Sequence, residues 1–492
     1  MALKLQHSKL PAGRLLVGGR FVDGRSAQAI DVVYPGTGEK VASFAGASAE
    51  DVDGAVKIAR QALTQGPWTT KISPAERSRI LWRLSELISA NASELAELET
   101  VDTGKPIGET TAIEIPLSAE IYQYFAGWAT KVHGETIPAR PGLMNFTLRE
   151  PVGVVGVITP WNFPLLMSTW KIAAALACGN VVIHKPSEIT PLTALRVAEL
   201  ALEAGLPEGV LQVLPGTGPE AGEAMVKHPG IDKISFTGST AVGQRIMREA
   251  AGTMKRLTLE LSGKSPNVVF ADADIEAAVR GAVNAVFYNK GEVCSAGSRL
   301  LVERSIKDEF LDKVKARAEK LVASQGDPLS SKTRLGPQVS QAQMDKVLGY
   351  IEKGQAEGAK LVFGGSRNAD AGAGFFVKPT IFDGVTADMT IAREEIFGPV
   401  VATLAFDSVE EAAALGNASD YGLAAGVWTK DVKKALRTAK ALRAGTVWVN
   451  AYNLFDAAMP FGGFKSSGFG RELGMHAIEN YTELKSVWVD LS

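Results

Sequence analysis

Two residues in this chain have the types needed for covalent catalysis. Glu260 closes an apolar run in Leu259-Glu-Leu-Ser-Gly-Lys264, just before a Ser-Gly turn. Cys294 sits in Lys290-Gly-Glu-Val-Cys-Ser-Ala-Gly297. A thiol supplies a soft nucleophile and a carboxylate supplies a base, two parts of one covalent machine if the fold brings them together. A lone cysteine is most often a small buried hydrophobe. Cys178, in Ala-Leu-Ala-Cys-Gly, reads that way, whereas Cys294 lies among polar residues between Gly291 and Gly297.

The surrounding pattern shows what must position them. From Pro151 onward, short β-branched runs alternate with helical periods. Strands are expected at 152–158, 181–184, 210–214, 231–236 and 257–261, with helices between them. This alternation predicts a doubly wound parallel sheet, in which ligands bind beyond the carboxyl ends of the strands. The residues at those ends are informative: Thr159-Pro-Trp-Asn-Phe-Pro164, Lys185-Pro-Ser-Glu188 and Thr237-Gly-Ser-Thr-Ala-Val-Gly243. The alternation resumes from Ser265, so a second α/β domain follows. Upstream, residues 15–45 read as strands and hairpins. Ser48 opens a helix that Gly66-Pro67 ends, and Ser73-Pro-Ala-Glu76 is a capping box that starts another. A further helix is expected from Glu114 to Trp128, then a β-ribbon over 133–150. Residues 481–489 read as a final strand in need of a partner.

Composition narrows the class. The chain has 492 residues, 46% of them hydrophobic and 22% charged, which suits two or three globular domains. Lys plus Arg (52) nearly balance Asp plus Glu (54), so no net field favours nucleic acid or a membrane surface. Two cysteines give no disulfide framework, and no repeated metal-ligand spacing is present, so no metal is expected. The N-terminal Met-Ala-Leu-Lys-Leu-Gln-His lacks a secretory apolar region, and a cytoplasmic location is the default expectation.

Two glycine-rich turns are candidates for holding a dinucleotide. Gly216-Thr-Gly218-Pro-Glu-Ala221 follows a strand and matches G-x-G-x-x-G/A. Gly238-Ser-Thr-Ala-Val-Gly243 enters a helix whose free N–H groups could hold a pyrophosphate. Each is equally a plain tight turn. Lys185 can donate to ribose hydroxyls, and Glu188 can accept from a 2′-OH while repelling a 2′-phosphate, which favours NAD over NADP. Solvated surface charge is the alternative for that pair.

Taken together, these residues resemble the aldehyde dehydrogenase superfamily, in its non-acylating, class 1/2-like tetrameric branch. The motifs that carry the resemblance are 159–164, 185–188, Phe236-Thr-Gly-Ser-Thr240, 259–264, Gly291-Glu-Val-Cys294, Glu394-Glu-Ile-Phe-Gly-Pro399 and Pro460-Phe-Gly-Gly-Phe-Lys-Ser-Ser-Gly468. The resemblance spans essentially the whole chain. It implies a Rossmann-like cofactor domain (1–132 and 154–261), a second α/β catalytic domain (262–465) and a small β oligomerisation arm (133–153 and 479–492). It also implies a homotetramer built through the C-terminal strand.

The resemblance assigns roles as well. Cys294 would attack an aldehyde, the Asn162 amide and the Cys294 backbone N–H would stabilise the oxyanion, and Glu260 would activate the hydrolytic water. Lys185 is carried over with this catalytic group. The dinucleotide would lie against Ile158, Thr159, Pro160, Trp161, Lys185, Ser187, Glu188, Gly218, Gly222, Phe236, Thr237, Gly238, Ser239 and Val242. Glu260, Leu261, Glu395 and Phe397 would complete its site towards the nicotinamide. Gly216–Ala221 becomes a structural turn near the adenine.

The sequence departs from the family at one place. The common Asn-Gln-Gly-Gln before the nucleophile is here Asn289-Lys-Gly-Glu292, and the two charges are expected to tune the thiol in opposite directions. Leu117, Phe163, Met167, Trp170, Tyr288, Phe455 and Phe461 match an apolar and aromatic substrate tunnel, which favours a medium-sized apolar or aromatic aldehyde. Glu114 and Asp456 at its mouth would favour a cationic aminoaldehyde instead. Two rivals from other classes are a CoA-acylating enzyme and an inactive binding protein of the same fold. The presence of Glu260 argues against the first, and the Asn162, Glu260, Cys294 and Glu395 set against the second.

Overall fold

Runs of Val, Ile and Leu too short for a helix pair as strands wherever helices can cover both faces. In the computed structural model, which describes residues 14–492, these runs build two large sheets. The N-terminal heptapeptide read for a leader lies outside the described residues.

The first sheet has eight strands. In spatial order they are Arg20–Val22, Leu15–Val17, Leu211–Val213, Val181–Lys185, Val154–Ile158, Lys233–Thr237, Arg256–Glu260 and Gly468–Phe469. The five from Leu211–Val213 to Arg256–Glu260 run parallel. Their register sets Ile158 beside Lys185 and Phe236, and Thr237 beside Glu260. The strand ends that carry the sequence motifs therefore face one crevice. The last strand, from the far end of the chain, pairs antiparallel with Leu259 and Glu260.

The second sheet orders Lys360–Phe363, Thr380–Asp383, Val400–Phe406, Arg299–Glu303, Pro266–Val269, Ala424–Trp428 and Thr446–Val449. All its pairs are parallel except the first. The expected ribbon forms a third sheet, in which Leu143–Pro151 lies between Thr136–Ile137 and Thr482–Asp490. The final strand is paired along its whole length on one edge, while Leu484 and Trp488 stay exposed.

Local chemistry accounts for the helix boundaries. Ser48 with Asp51 and Ser73 with Glu76 form complete capping boxes for the helices Ala49–Gln65 and Pro74–Ala90. The helix expected from Glu114 starts as Ile115–Trp128, preceded by a wide π turn over Thr110–Glu114. Pro116 has no N–H to give the turn before it, so the hydrogen-bond ladder widens there. The Pro164–Ala177 helix is buried at every residue, packed between the first sheet and the helices Pro74–Ala90 and Ile115–Trp128.

Asn180, at the end of that buried helix, joins distant segments. Its amide donates to the carbonyls of Ala175 at 3.0 Å and Tyr481 at 2.9 Å, and its oxygen accepts from Gly153 N–H at 2.9 Å. The side chain is fully buried, so its loss strands the Gly153 N–H and takes one of two donors from each of the Ala175 and Tyr481 carbonyls. Asn180→Ala is expected to destabilise the fold by about 3 kcal/mol, read by denaturant or thermal unfolding. Activity per folded molecule should be unchanged, and an unaltered unfolding midpoint would refute this role.

Candidate active site

Cys294 stands where two cavities meet. One, of about 80 Å³, is lined by Leu117, Phe163, Met167, Trp170, Tyr288, Phe455 and Phe461. Every residue expected in the tunnel thus lies in one chamber with the thiol. Trp170, Phe455 and Phe461 pack edge to face or tilted, with ring centroids 5.3–5.8 Å apart, and Phe163 stacks on Tyr288 at 6.0 Å. Val293, inside the Gly291–Cys294 motif, also lines it, as do Ile113, Leu166, Asn284, Ser295 and Asn453, which had no motif to mark them.

On the other side of the thiol is a cavity of about 180 Å³ containing Asn162, Glu260, Ser262, Glu395 and Phe397. Pro160, Trp161, Thr237, Gly238 and Ser239 line both this cavity and a larger cleft of about 480 Å³. That cleft also takes in Ile158, Thr159, Lys185, Ser187, Glu188, Gly218, Gly222, Phe236 and Val242. Leu261 lines neither; it is buried, and its N–H donates to the Ser467 carbonyl at 3.0 Å. Lys185, carried over as catalytic, faces the large cleft and not the thiol. Its ammonium donates to the carbonyls of Pro186 and Gly216, each at 2.8 Å, and lies 3.4 Å from Glu188.

The electrostatics follow from burial. Glu260 is buried, and neither of its oxygens has a well-aligned hydrogen-bond donor. Desolvation and the nearby Glu472 raise its pKa to about 7, against the opposing effects of Lys171, the Cys294 thiol and Thr237. Burial and the Glu260 charge push the Cys294 thiol well above its usual range. At neutral pH the thiol therefore rests protonated beside a carboxylate that is itself half titrated.

Behind Glu260, the Lys171 ammonium pairs with Glu472 and donates to Thr237 Oγ1 at 2.7 Å. A lysine in the otherwise apolar run 164–177 was the signal that could have revealed this pair, since a buried charge needs a partner. Glu395 accepts from the Gly263 N–H at 2.9 Å. Phe397 takes a left-handed φ of 60°, its carbonyl accepting from the Gln343 amide at 2.6 Å, and its ring meets Trp161 edge to face.

The loop before the nucleophile corrects one expectation. Lys290 and Glu292 do not act separately on the thiol: both are fully enclosed and pair with each other at 2.8 Å. Opposite charges this close leave little net field at Cys294. Glu114 corrects a second. It is buried as the partner of Lys105, not placed at the tunnel mouth. Asp456 is exposed, its carboxylate accepting from Ala458 N–H at 2.8 Å, and it does not line the tunnel. The case for a cationic substrate loses the Glu114 carboxylate.

Known proteins share this architecture. A sequence profile of the aldehyde dehydrogenase family matches residues 21–487. The chain is 52% identical to the DhaS protein of Bacillus subtilis (strain 168), over 97% of this chain and 96% of that one. Among solved structures, the NAD+ complex of an aldehyde dehydrogenase from Bacillus cereus superposes with a TM-score of 0.95 at 49% identity, covering 97% of this chain and 96% of that one. An indole-3-acetaldehyde dehydrogenase complexed with NAD+ gives a TM-score of 0.95 at 47% identity, covering 98% and 97%. By sequence and by fold, the chain belongs to the aldehyde dehydrogenase family.

Proposed function

We propose that this protein oxidises a medium-sized apolar or aromatic aldehyde to its carboxylic acid with NAD. The observation that carries this reading is the position of Cys294, which opens on one side to an aromatic tunnel and on the other to the cavity with Glu260 and Asn162. Rings on the tunnel wall favour flat apolar groups, as the solved indole-3-acetaldehyde dehydrogenase suggests by its name.

The cleft residues fit a dinucleotide. Ser239 caps the eleven-residue helix Thr240–Ala250 inside the cleft, so N–H groups and the helix dipole are available to a pyrophosphate. Gly238 packs its backbone against the Phe236 ring, which a Cβ would approach to within 2.4 Å. Lys185 and Glu188 suit a ribose at the cleft's far end, and Glu395 and Phe397 suit the nicotinamide end. When bound, NAD supplies the hydride acceptor.

The chain's own groups then account for the reaction. The Cys294 thiol gives up its proton to solvent, and the thiolate forms a C–S bond to the aldehyde carbon as the C=O π pair moves onto oxygen, leaving the neighbouring Glu260 carboxylate free for the later step. The resulting oxyanion meets the Asn162 amide, and one such preorganised donor is worth about 3–4 kcal/mol. Loss of hydride leaves a thioester on Cys294. Glu260 then takes a proton from water, the hydroxyl attacks the acyl carbon, and the C–S bond breaks with the thiolate as leaving group. The same reading assigns a homotetramer to the outer edge of Thr482–Asp490, where Leu484 and Trp488 are exposed.

Cys294→Ala should abolish NADH production with every aldehyde while NAD still binds, whereas Cys178→Ala should be nearly silent. Appreciable turnover by the Cys294 variant would exclude a covalent route.

Glu260→Gln should still give about one NADH per site in a stopped-flow trace, followed by turnover about 10²–10⁴-fold slower. Mass spectrometry of the quenched mixture should then find the acyl group on Cys294. Because the base must be ionised, steady-state turnover of the parent should rise with pH through about 7 and level off above it. The variant should lose that dependence. If burst and steady rates fall together, Glu260 is needed at the thiol as well as at the water.

Glu188 stands at the cleft with its side chain part-exposed. A 2′-phosphate would bring negative charge against it, so NAD should be preferred over NADP and the preference should narrow in Glu188→Ser. Equal kcat/KM for both cofactors in the parent would remove Glu188 from this role.

A further inference from the structure

The segment before the nucleophile adopts a backbone that side chains disfavour. Asn289, Lys290 and Gly291 have φ values of 45°, 59° and 81°, a run of three left-handed residues of which only one is glycine. The glycine is needed where it stands, because a Cβ on Gly291 would come within 2.2 Å of the Gly398 backbone. Asn289 and Lys290 must be held there by their surroundings.

The holding contacts converge on Glu292. Its carboxylate pairs with Lys290 at 2.8 Å and accepts from Val339 N–H at 2.9 Å. The Lys290 ammonium donates to the Thr103 carbonyl at 2.8 Å, and the Lys290 carbonyl accepts from the Gln338 amide at 3.3 Å. Segments 103–104 and 336–339 thus close around the pair. The backbone carbonyl of Glu292 meanwhile accepts from two amides, Asn162 Nδ2 at 2.9 Å and Asn289 Nδ2 at 3.1 Å. One residue therefore fixes the charged pair with its side chain and the Asn162 amide with its carbonyl.

We propose that Lys290 and Glu292 form a positioning clamp: their enclosed ion pair holds the left-handed turn that aims the Asn162 amide at the Cys294 reaction centre. Neither residue touches substrate. Removing one partner strands the other charge in an enclosed site, the costly half of any buried pair. The turn would relax to relieve it, carrying the Glu292 carbonyl and the Asn162 amide with it. Removing both charges takes away that stress and leaves the amide contacts able to form. The two residues should therefore behave as a unit.

A double-mutant cycle on the whole enzyme tests this, with NAD and one aldehyde that the parent turns over. In Lys290→Gln and in Glu292→Gln, kcat should fall at least about tenfold while KM for the aldehyde and for NAD stays within about twofold, since the lost interaction belongs to the transition state. The double variant should exceed both singles and come within about threefold of the parent. Unchanged kcat in the singles, a loss carried by KM alone, or a double variant no better than the better single overturns the clamp. If a single variant does not fold, the double variant decides. A folded double with near-parental kcat supports the pair as a unit, and one that is unfolded or as slow as a tenfold loss rejects it. The inference rests on Cys294 and Asn162 in their proposed roles. Turnover that survives Cys294→Ala would fail those roles, whereas a Cys294-dependent parent without the predicted rescue fails only the clamp.

Discussion

Burial of one carboxylate sets the terms for the rest of this site. Glu260 ends the strand Arg256–Glu260, one in from the sheet's edge, with no well-aligned donor for either oxygen, so its charged form is costly and its proton affinity rises into the neutral range. A carboxylate at the surface would stay ionised at neutral pH and be a weak base. The surrounding structure keeps Glu260 dry without letting its proton become permanent. The parallel register places it beside Thr237, and in the pair behind it the Glu472 charge raises its proton affinity while Lys171 lowers it. The apolar tunnel limits water from the other side. The Cys294 thiol shares this environment, and so the thiol and the carboxylate are best understood as one coupled pair of acids.

The nucleophile loop meets a different constraint, one of shape. Asn162 and Cys294 come from different halves of the chain, and their relative position depends on a few amide-to-carbonyl bonds centred on Glu292. Such bonds are directional, so a small backbone rotation misaims them. Gly291 and Gly398 pack back to back at the same place. The strap that carries Glu395 and Phe397 is therefore in direct contact with the loop that carries the thiol.

Much of the fold was readable because its signals are local. The capping boxes at Ser48 and Ser73, the helix Ile115–Trp128 and the strands Val154–Ile158, Val181–Lys185 and Arg256–Glu260 all sit close to where periodicity puts them. The motif residues gather because strand-end residues in a parallel sheet must converge. What could not be read was pairing at a distance. Glu114 looks like a surface acid until Lys105 is found against it, and nothing within a few residues of Lys290 says that the Thr103 carbonyl will accept its hydrogen bond. The role of Asn180 was hidden for the same reason, since its partner Tyr481 lies some 300 positions away. Charged residues inside apolar runs, such as Lys171, are the exception, because their position already demands a partner.

The strand carrying Glu260 is flanked on its outer side by Gly468–Phe469, and the glutamate behind it, Glu472, belongs to the same late segment. A ribosome makes these residues long after residue 260 has emerged. Throughout that interval the Glu260 strand is an open sheet edge with unpaired N–H and C=O groups, and Lys171 lacks its partner. The sheet that carries Glu260 cannot close during synthesis until residues 468–472 have emerged. Its hydrogen bonds at that edge thus wait on a segment far downstream, and a nascent chain stalled short of it would offer the edge to any neighbouring strand.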